Sequence, residues 1–204
     1  MRFFIGSAAC VTMVLFILFP QASFACGHDG FFFGGGYAQS HLFTHETRFF
    51  ANSNVNRRIT FGPGFGGHAV LGYDVCKTRW GFQVPVEFVS LRINGNERTQ
   101  LLTVNSEVIY HIASWENGID VHLVAGGGIN YLREGETFDR SASYGANINV
   151  GPGVSWYFAR AKTLSGALTL QIPIRSILFF GDRLTRNNTL VFVIPVRFGM
   201  TFGF

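Results

Sequence analysis

Charge is scarce in this chain. Acidic and basic residues together make up 14 % of it, and lysine is almost missing, with Lys77 and Lys162 alone. The modest net charge of +4 needs no nucleic-acid partner to account for it. Long apolar runs are lacking too. Past residue 25 no stretch approaches the ~20 apolar residues of a membrane-spanning helix, which excludes a helical anchor there. Cysteine is sparse, at three residues. The "GGG" triplets at 34–36 and 126–128 lack the Gly-Lys-Ser/Thr that completes a phosphate-binding loop. Small residues at these triplets instead relieve crowding.

What is present begins with the first residues. "MRFFIGSAACVTMVLFILFPQASFA" carries Arg2, an apolar centre broken by Pro20, and Ser23-Phe24-Ala25. That is the pattern of a secretory signal peptide with a small-x-small cleavage site. Residues 1–25 are read as this leader and 26–204 as a single mature domain. The mature part is rich in Gly and Phe. A secreted chain with so much apolar surface and no spanning helix can satisfy its backbone in lipid by closing into a β-barrel, which leaves no edge.

Eight strand-like segments recur, near 33–46, 65–75, 79–91, 100–113, 118–132, 144–158, 165–178 and 188–204. Connectors such as "CKT" and "SWENG" are short, and those between are mostly longer and polar. This alternation is the pattern of an outer-membrane barrel with its termini on the short-turn, periplasmic side. Within segments the period is two, which puts alternate residues on opposite sides of a wall. In the last segment Leu190, Phe192, Ile194, Val196, Phe198, Met200, Phe202 and Phe204 share one face, against Val191, Val193, Pro195, Arg197, Gly199, Thr201 and Gly203 on the other. Trp80, Phe82, Val84, Val86 and Phe88 likewise oppose Gly81, Gln83, Pro85 and Glu87. The first segment alternates poorly. A water-soluble barrel would hide the bulky apolar face and expose the charges; here the charges share the face opposite the bulk. Trp80, Tyr110, Tyr131, Tyr144, Trp156 and Phe204 lie near segment ends, where interfacial aromatic girdles belong.

The chain closes on "RFGMTFGF". Polar Arg197, Gly199 two residues on, and aromatics at Phe202 and Phe204 resemble the C-terminal recognition signal of bacterial outer-membrane barrels. The whole mature chain is similar to the small eight-stranded barrels of the outer membrane protein A and X type. The resemblance implies an all-β, antiparallel up-and-down transmembrane barrel in the bacterial outer membrane. It also implies the barrel-assembly machinery as a partner reading Arg197, Gly199, Phe202 and Phe204, with lipid and lipopolysaccharide as surroundings and a monomeric state.

Four inward charges give a second expectation. Glu87 and Glu107 fall on strands three and four, Arg175 and Arg197 on strands seven and eight. In an eight-membered ring three faces seven and four faces eight, so a carboxylate–guanidinium cluster is expected to plug the lumen, with His111 and His122 near it. Three stretches, "QVPVE", "QIPIR" and "VIPVR", each place an inward Pro two residues before an inward charge, pointing to bulges or lumen shaping. Arg48, Arg57, Arg58, Arg92, Arg98, Arg133, Arg140, Arg183 and Arg186 are assigned to outer loops, where guanidinium forks suit lipid phosphate. Interspersed Glu97, Glu134, Glu136, Asp139 and Asp182 make an ordinary solvated surface an equal reading.

No catalytic, cofactor or metal residues are assigned. "SHLFTHE" holds Ser40, His41, His45 and Glu46 near the outer rim, but there is no His-x-Ser-Asn motif of the kind found in lipid A deacylases, and two histidines alone make no metal set. The function expected is a non-enzymatic barrel with a structural or surface-interaction role through its loops. A lipid A-modifying enzyme and a small transport pore are the alternatives. With Cys10 lost in the leader, Cys26 and Cys76 would share one rim in the oxidising periplasm, and a disulfide between them is expected. Lipidation of Cys26 is disfavoured by Phe24 and Ser23; two free thiols are the other alternative.

Overall fold

The computed structural model describes residues 30–43, 62–75, 77–93, 97–134, 142–161, 164–180 and 189–204. The proposed leader, Cys26, Cys76, His45, Glu46, the loop arginines 48, 57, 58, 140, 183 and 186, and Glu136, Asp139 and Asp182 lie outside these residues. The described residues form nine strands: β1 (Phe31–Phe43), β2 (Gly64–Asp74), β3 (Trp80–Ile93), β4 (Glu97–Ser114), β5 (Ile119–Glu134), β6 (Ala142–Ala161), β7 (Leu164–Gln171), β8 (Ile174–Phe179) and β9 (Thr189–Gly203). From β1 to β7 each strand pairs antiparallel with the next, and both β7 and β8 lie between β6 and β9. The first strand also pairs with the last, from Phe32 opposite Gly203 to Phe43 opposite Phe192. The ring is closed.

The nine strands make eight staves. The segment read as one strand over 165–178 is interrupted at Ile172–Pro173, but its register runs through the gap. Gln171 faces Arg197 before the break and Arg175 faces Val193 after it. That register sets Pro173 directly opposite Pro195. Proline has no N–H to give, so this pair can exchange no ladder hydrogen bonds. On the other side Ile172 N–H still reaches the Pro152 carbonyl of β6 at 3.0 Å.

The rim carrying Phe31 and Phe204 has the compact turns. At one, the Thr78 amide bonds to the Val75 carbonyl (3.1 Å), Val75 N–H reaches the Trp80 carbonyl (2.9 Å), and Lys77 takes a left-handed φ of 60°. At the other, Gly118 N–H donates to the Trp115 carbonyl (3.0 Å) with φ at 89°. A side chain at Gly118 would also run into the Tyr157 carbonyl, so only glycine suits both demands. Bulges interrupt β4 between His111 and Ala113 and β6 between Tyr157 and Ala159, both near this rim. The first re-aims the end of its strand: inward positions run Glu107, Ile109, His111, then Ser114.

Strand periodicity settles the faces, including those of β1. Phe32, Ala38, Ser40 and Leu42 point in, while Phe31, Phe33, Tyr37 and Phe43 point out. Outside, Phe82, Phe88, Ile129, Ile148, Ile174 and Phe198 form an exposed apolar belt around the wall. Aromatic pairs mark its margins. Phe31 meets Tyr73 and Trp80 meets Tyr110 (ring centroids 4.8 Å each) on the terminal side, and Tyr131 meets Tyr144 at 5.2 Å towards the loops. A closed wall with this exterior is built to stand in lipid.

Candidate functional site: the lumen

The lumen is filled in layers. Arg175, Arg197, Glu87 and Glu107 occupy its middle, each at most 2 % exposed. Stave three meets stave seven where Arg175 Nη1 donates to Glu87 Oε2 (3.2 Å) and Nη2 to Oε1. Stave four meets stave eight in a two-pronged contact, Arg197 Nη1 and Nη2 each 2.7 Å from a Glu107 oxygen. Arg197 Nε, 2.7 Å from Glu87 Oε1, joins the two pairs into one network. The fork geometry of guanidinium is what allows one Arg to hold two carboxylates. Neutral groups complete the shell: Gln83 Nε2 donates to Glu107 (2.7 Å), Asn105 Nδ2 to Glu107 (3.1 Å), and the Thr103 hydroxyl accepts from Arg175 Nη1 (3.4 Å). Gly126 makes room beside Glu107, whose Cγ would lie 2.9 Å from any Cβ placed there. Two positive and two negative charges cancel, so the layer is neutral as a whole.

Towards the loops the lumen is apolar, with Leu91, Leu101, Leu132, Ile177, Phe179, Val191 and Val193 packed in one buried cluster with Ala38, Leu42 and Val89. The sequence pattern makes the inward face small or polar; at this end it is neither. Inward Leu and Ile carry no mark distinguishing them from outward ones, because consecutive residues such as Leu101 and Leu102 are both apolar yet face opposite ways. Between the two layers Asn147 donates to Asn105 (3.0 Å), while both amide atoms of Asn149 are buried without a protein partner. Buried polar atoms of this kind are where bound water is held.

Towards the termini lies a smaller apolar group, Phe32, Val70, Ile109 and Val124, and beside it a polar cluster. Asp120, fully buried, stands 3.0 Å from His111 Nδ1 and 3.1 Å from His122 Nδ1. Asp74 Oδ1 lies 3.4 Å from His111 Nε2, and the Gln171 amide 3.3 Å from His122 Nε2. Gln171 and Gln83, 3.2 Å apart, connect this cluster to the charged layer. The two histidines expected near the charges are thus one layer below them. Asp74 and Asp120 carried no weight in the sequence reading; the sign available was the "DVH" that opens β5, facing His111 across a hairpin. The cavities beside these layers are water-sized, about 20 Å³ each: one by His68, Gln83 and Arg197, another by Asp74, His111 and Tyr157.

Other residues singled out in the sequence fall apart in space. Ser40 is buried on the inward face, whereas His41 is on the outer wall with Gln39 at 2.8 Å. Adjacent strand positions cannot meet, so these two form no nucleophile–base pair. Arg133, assigned to the loop surface, is buried at the loop-side end of β5, 4 % exposed, while Arg92 is exposed there on β3. At the seam Phe33 of β1 packs between Phe202 (6.2 Å) and Phe204 (6.1 Å) of the closing strand.

No family model matches the sequence, and no curated protein matches it. Among solved structures the chain is similar to Neisserial surface protein A (NspA), with a TM-score of 0.60 at 16 % identity, over 86 % of this chain and 97 % of that one. The outer membrane protein OprG from Pseudomonas aeruginosa gives 0.49 at 13 %, over 86 % and 97 %. Ail, the attachment invasion locus protein of Yersinia pestis, gives 0.47 at 12 %, over 85 % and 98 %. With the ring closed at eight staves and the likeness to NspA, the fold is that of the small eight-stranded outer-membrane barrels.

Proposed function

We propose that this outer-membrane barrel is a non-enzymatic, monomeric wall element that acts through its surface, with its long loops as the contact region and lipopolysaccharide as its lipid neighbour. The filled lumen carries this reading. Among the described residues three successive layers, apolar, charged and polar, fill the lumen, and the two cavities beside His68 and His111 are about 20 Å³ each, room for about one water and too small for a solute. Ser40 points into the lumen and His41 to the outer wall, which supports the non-enzymatic reading over one built on these two residues. Two measurements test the reading together. Purified barrel in a planar bilayer should give no conductance steps, and lipid A from cells with and without the protein should have the same mass spectrum. Stepwise conductance would make it a pore; loss or gain of an acyl chain would make it a lipid A-modifying enzyme.

Assembly by the barrel-assembly machinery is part of the proposal. The packing of Phe33 against Phe202 and Phe204 supports it, because the terminal aromatics then help close the ring. Changing both to Ser should leave the chain in the periplasm, seen as loss of the heat-modifiable band from outer-membrane fractions; an intact band would exclude this role for the ending.

A further inference from the structure

We propose that His111, His122 and Asp120 form a binding site for one divalent transition-metal ion of the zinc class, inside the barrel just below the rim that carries the termini. The three side chains are buried, and their ligand atoms lie within 4.8 Å of one another. The donor atoms converge: His111 Nδ1 and His122 Nδ1 both point at the Asp120 carboxylate, at 3.0 and 3.1 Å. Ligands at ~2.0–2.1 Å from a tetrahedral zinc stand roughly 3.3 Å apart; both Asp120 contacts are already close to that spacing, and the two imidazole nitrogens would swing together from at most 4.8 Å to admit the ion. Two imidazoles and one carboxylate are also the donor types that suit such an ion.

The outer contact of His111 fits the same reading. A ligating imidazole normally gives its other N–H to a fixed acceptor, which sets its tautomer and aim. His111 has the Asp74 carboxylate against its Nε2 (3.4 Å) as that acceptor, which leaves its Nδ1 for the ion. His122 Nε2 faces the Gln171 NH2 (3.3 Å), because the Gln171 oxygen accepts from Arg197 Nη1 (3.3 Å), so an ion at His122 Nδ1 requires Gln171 to give up this contact. The water-sized cavity lined by Asp74, His111 and His122 supplies the fourth ligand as water. The β4 bulge after His111 holds its register opposite His122, which places the ligands across a single hairpin joined at Trp115–Gly118. Asp120 gains most: its two partners are imidazoles, and a divalent ion would neutralise its buried charge directly.

The test uses the untagged full chain, folded in detergent and stripped with a chelator. Zinc chloride titrated by calorimetry should bind at one ion per barrel, and cobalt(II) should give the intense visible absorption of a four-coordinate site. His122→Ala should weaken zinc at least 100-fold, Asp74→Asn by about 10-fold as an outer-contact loss, and His41→Ala on the outer wall not at all. X-ray absorption of the zinc-loaded native chain should show two imidazole ligands, which decides the matter even where a variant fails to fold. Absence of stoichiometric binding, affinity unchanged in folded His122→Ala, or a zinc shell without imidazole would each overturn the site.

Discussion

The middle and the loop-side end of the lumen do the same job by opposite chemistry. Both exclude solvent from the inside of the barrel. The loop-side layer does so with Leu, Ile, Val and Phe, whose attraction is non-directional and roughly proportional to the area removed from water. The middle layer does so with Glu87, Glu107, Arg175 and Arg197, whose desolvation is tolerable only while every partner is in place. The difference is one of coupling. An apolar side chain lost from the first layer leaves a hole; a charge lost from the second leaves another charge stranded. The apolar layer is therefore the one in which sequence can drift, and the charged layer the one that fixes which staves face each other.

The largest effect expected is at Arg197, which holds both carboxylates. Arg197→Ala leaves Glu107 without its two-pronged partner and Glu87 with one Arg in place of two. Breaking a buried pair in this way costs about 3–5 kcal/mol, measurable as a lowered midpoint in urea unfolding from detergent or lipid. Adding Glu107→Gln should recover part of that loss, because the stranded charge is removed with its partner. Additive costs in the double variant would show that the cluster is uncoupled and the contrast between the layers empty.

Next comes Leu101→Ala in the loop-side layer, 2 % exposed and packed among its apolar neighbours. Truncation of a buried Leu costs roughly 2–5 kcal/mol according to how far the site collapses. The sharper expectation is its independence. Combined with Arg197→Ala it should add within about 0.5 kcal/mol, as distant sites without shared partners do. A strong interaction between the two would mean that the lumen behaves as one unit and not as layers.

This contrast also explains how much could be read from the sequence. The ring, its closure and its outward belt come from period-two alternation and turn spacing. The placement of Glu87 opposite Arg175 comes from parity and stave number, because charges are too costly on the lipid side to face either way. The apolar layer did not announce itself: Leu91, Ile177 and Phe179 would suit lipid or lumen equally, and only the register decides. Bulges at β4 and β6 involve Ile112 and Phe158, ordinary residues with no Gly or Pro to mark them. The interruption of the seventh stave was written in Pro173, but that it faces Pro195 needed the pairing of β7 and β8 with β9. In the His111–Asp120–His122 cluster the "DVH" spacing puts Asp120 and His122 on one face of β5, but His111 joins them only across the hairpin, through a register that spacing within one strand does not give.

The smallest change gives the cleanest comparison, because one methylene can be removed from each layer. Ile177→Val takes it from the apolar layer, where Ile177 is fully buried. Neighbours can relax into the space, and such changes cost about 0.5–1.5 kcal/mol. Glu87→Asp takes it from the charged layer and draws the carboxylate back from two guanidinium groups at once. Hydrogen bonds weaken steeply as geometry is lost, and the neighbouring staves cannot close the gap, since each is held in register along its length. Glu87→Asp should therefore cost more than Ile177→Val by at least about 1 kcal/mol, a gap large enough to resolve in parallel urea unfolding of the two variants in the same detergent. Equal costs would mean that the cluster adapts as readily as the apolar layer does, and that ionic geometry does not set the register of the staves.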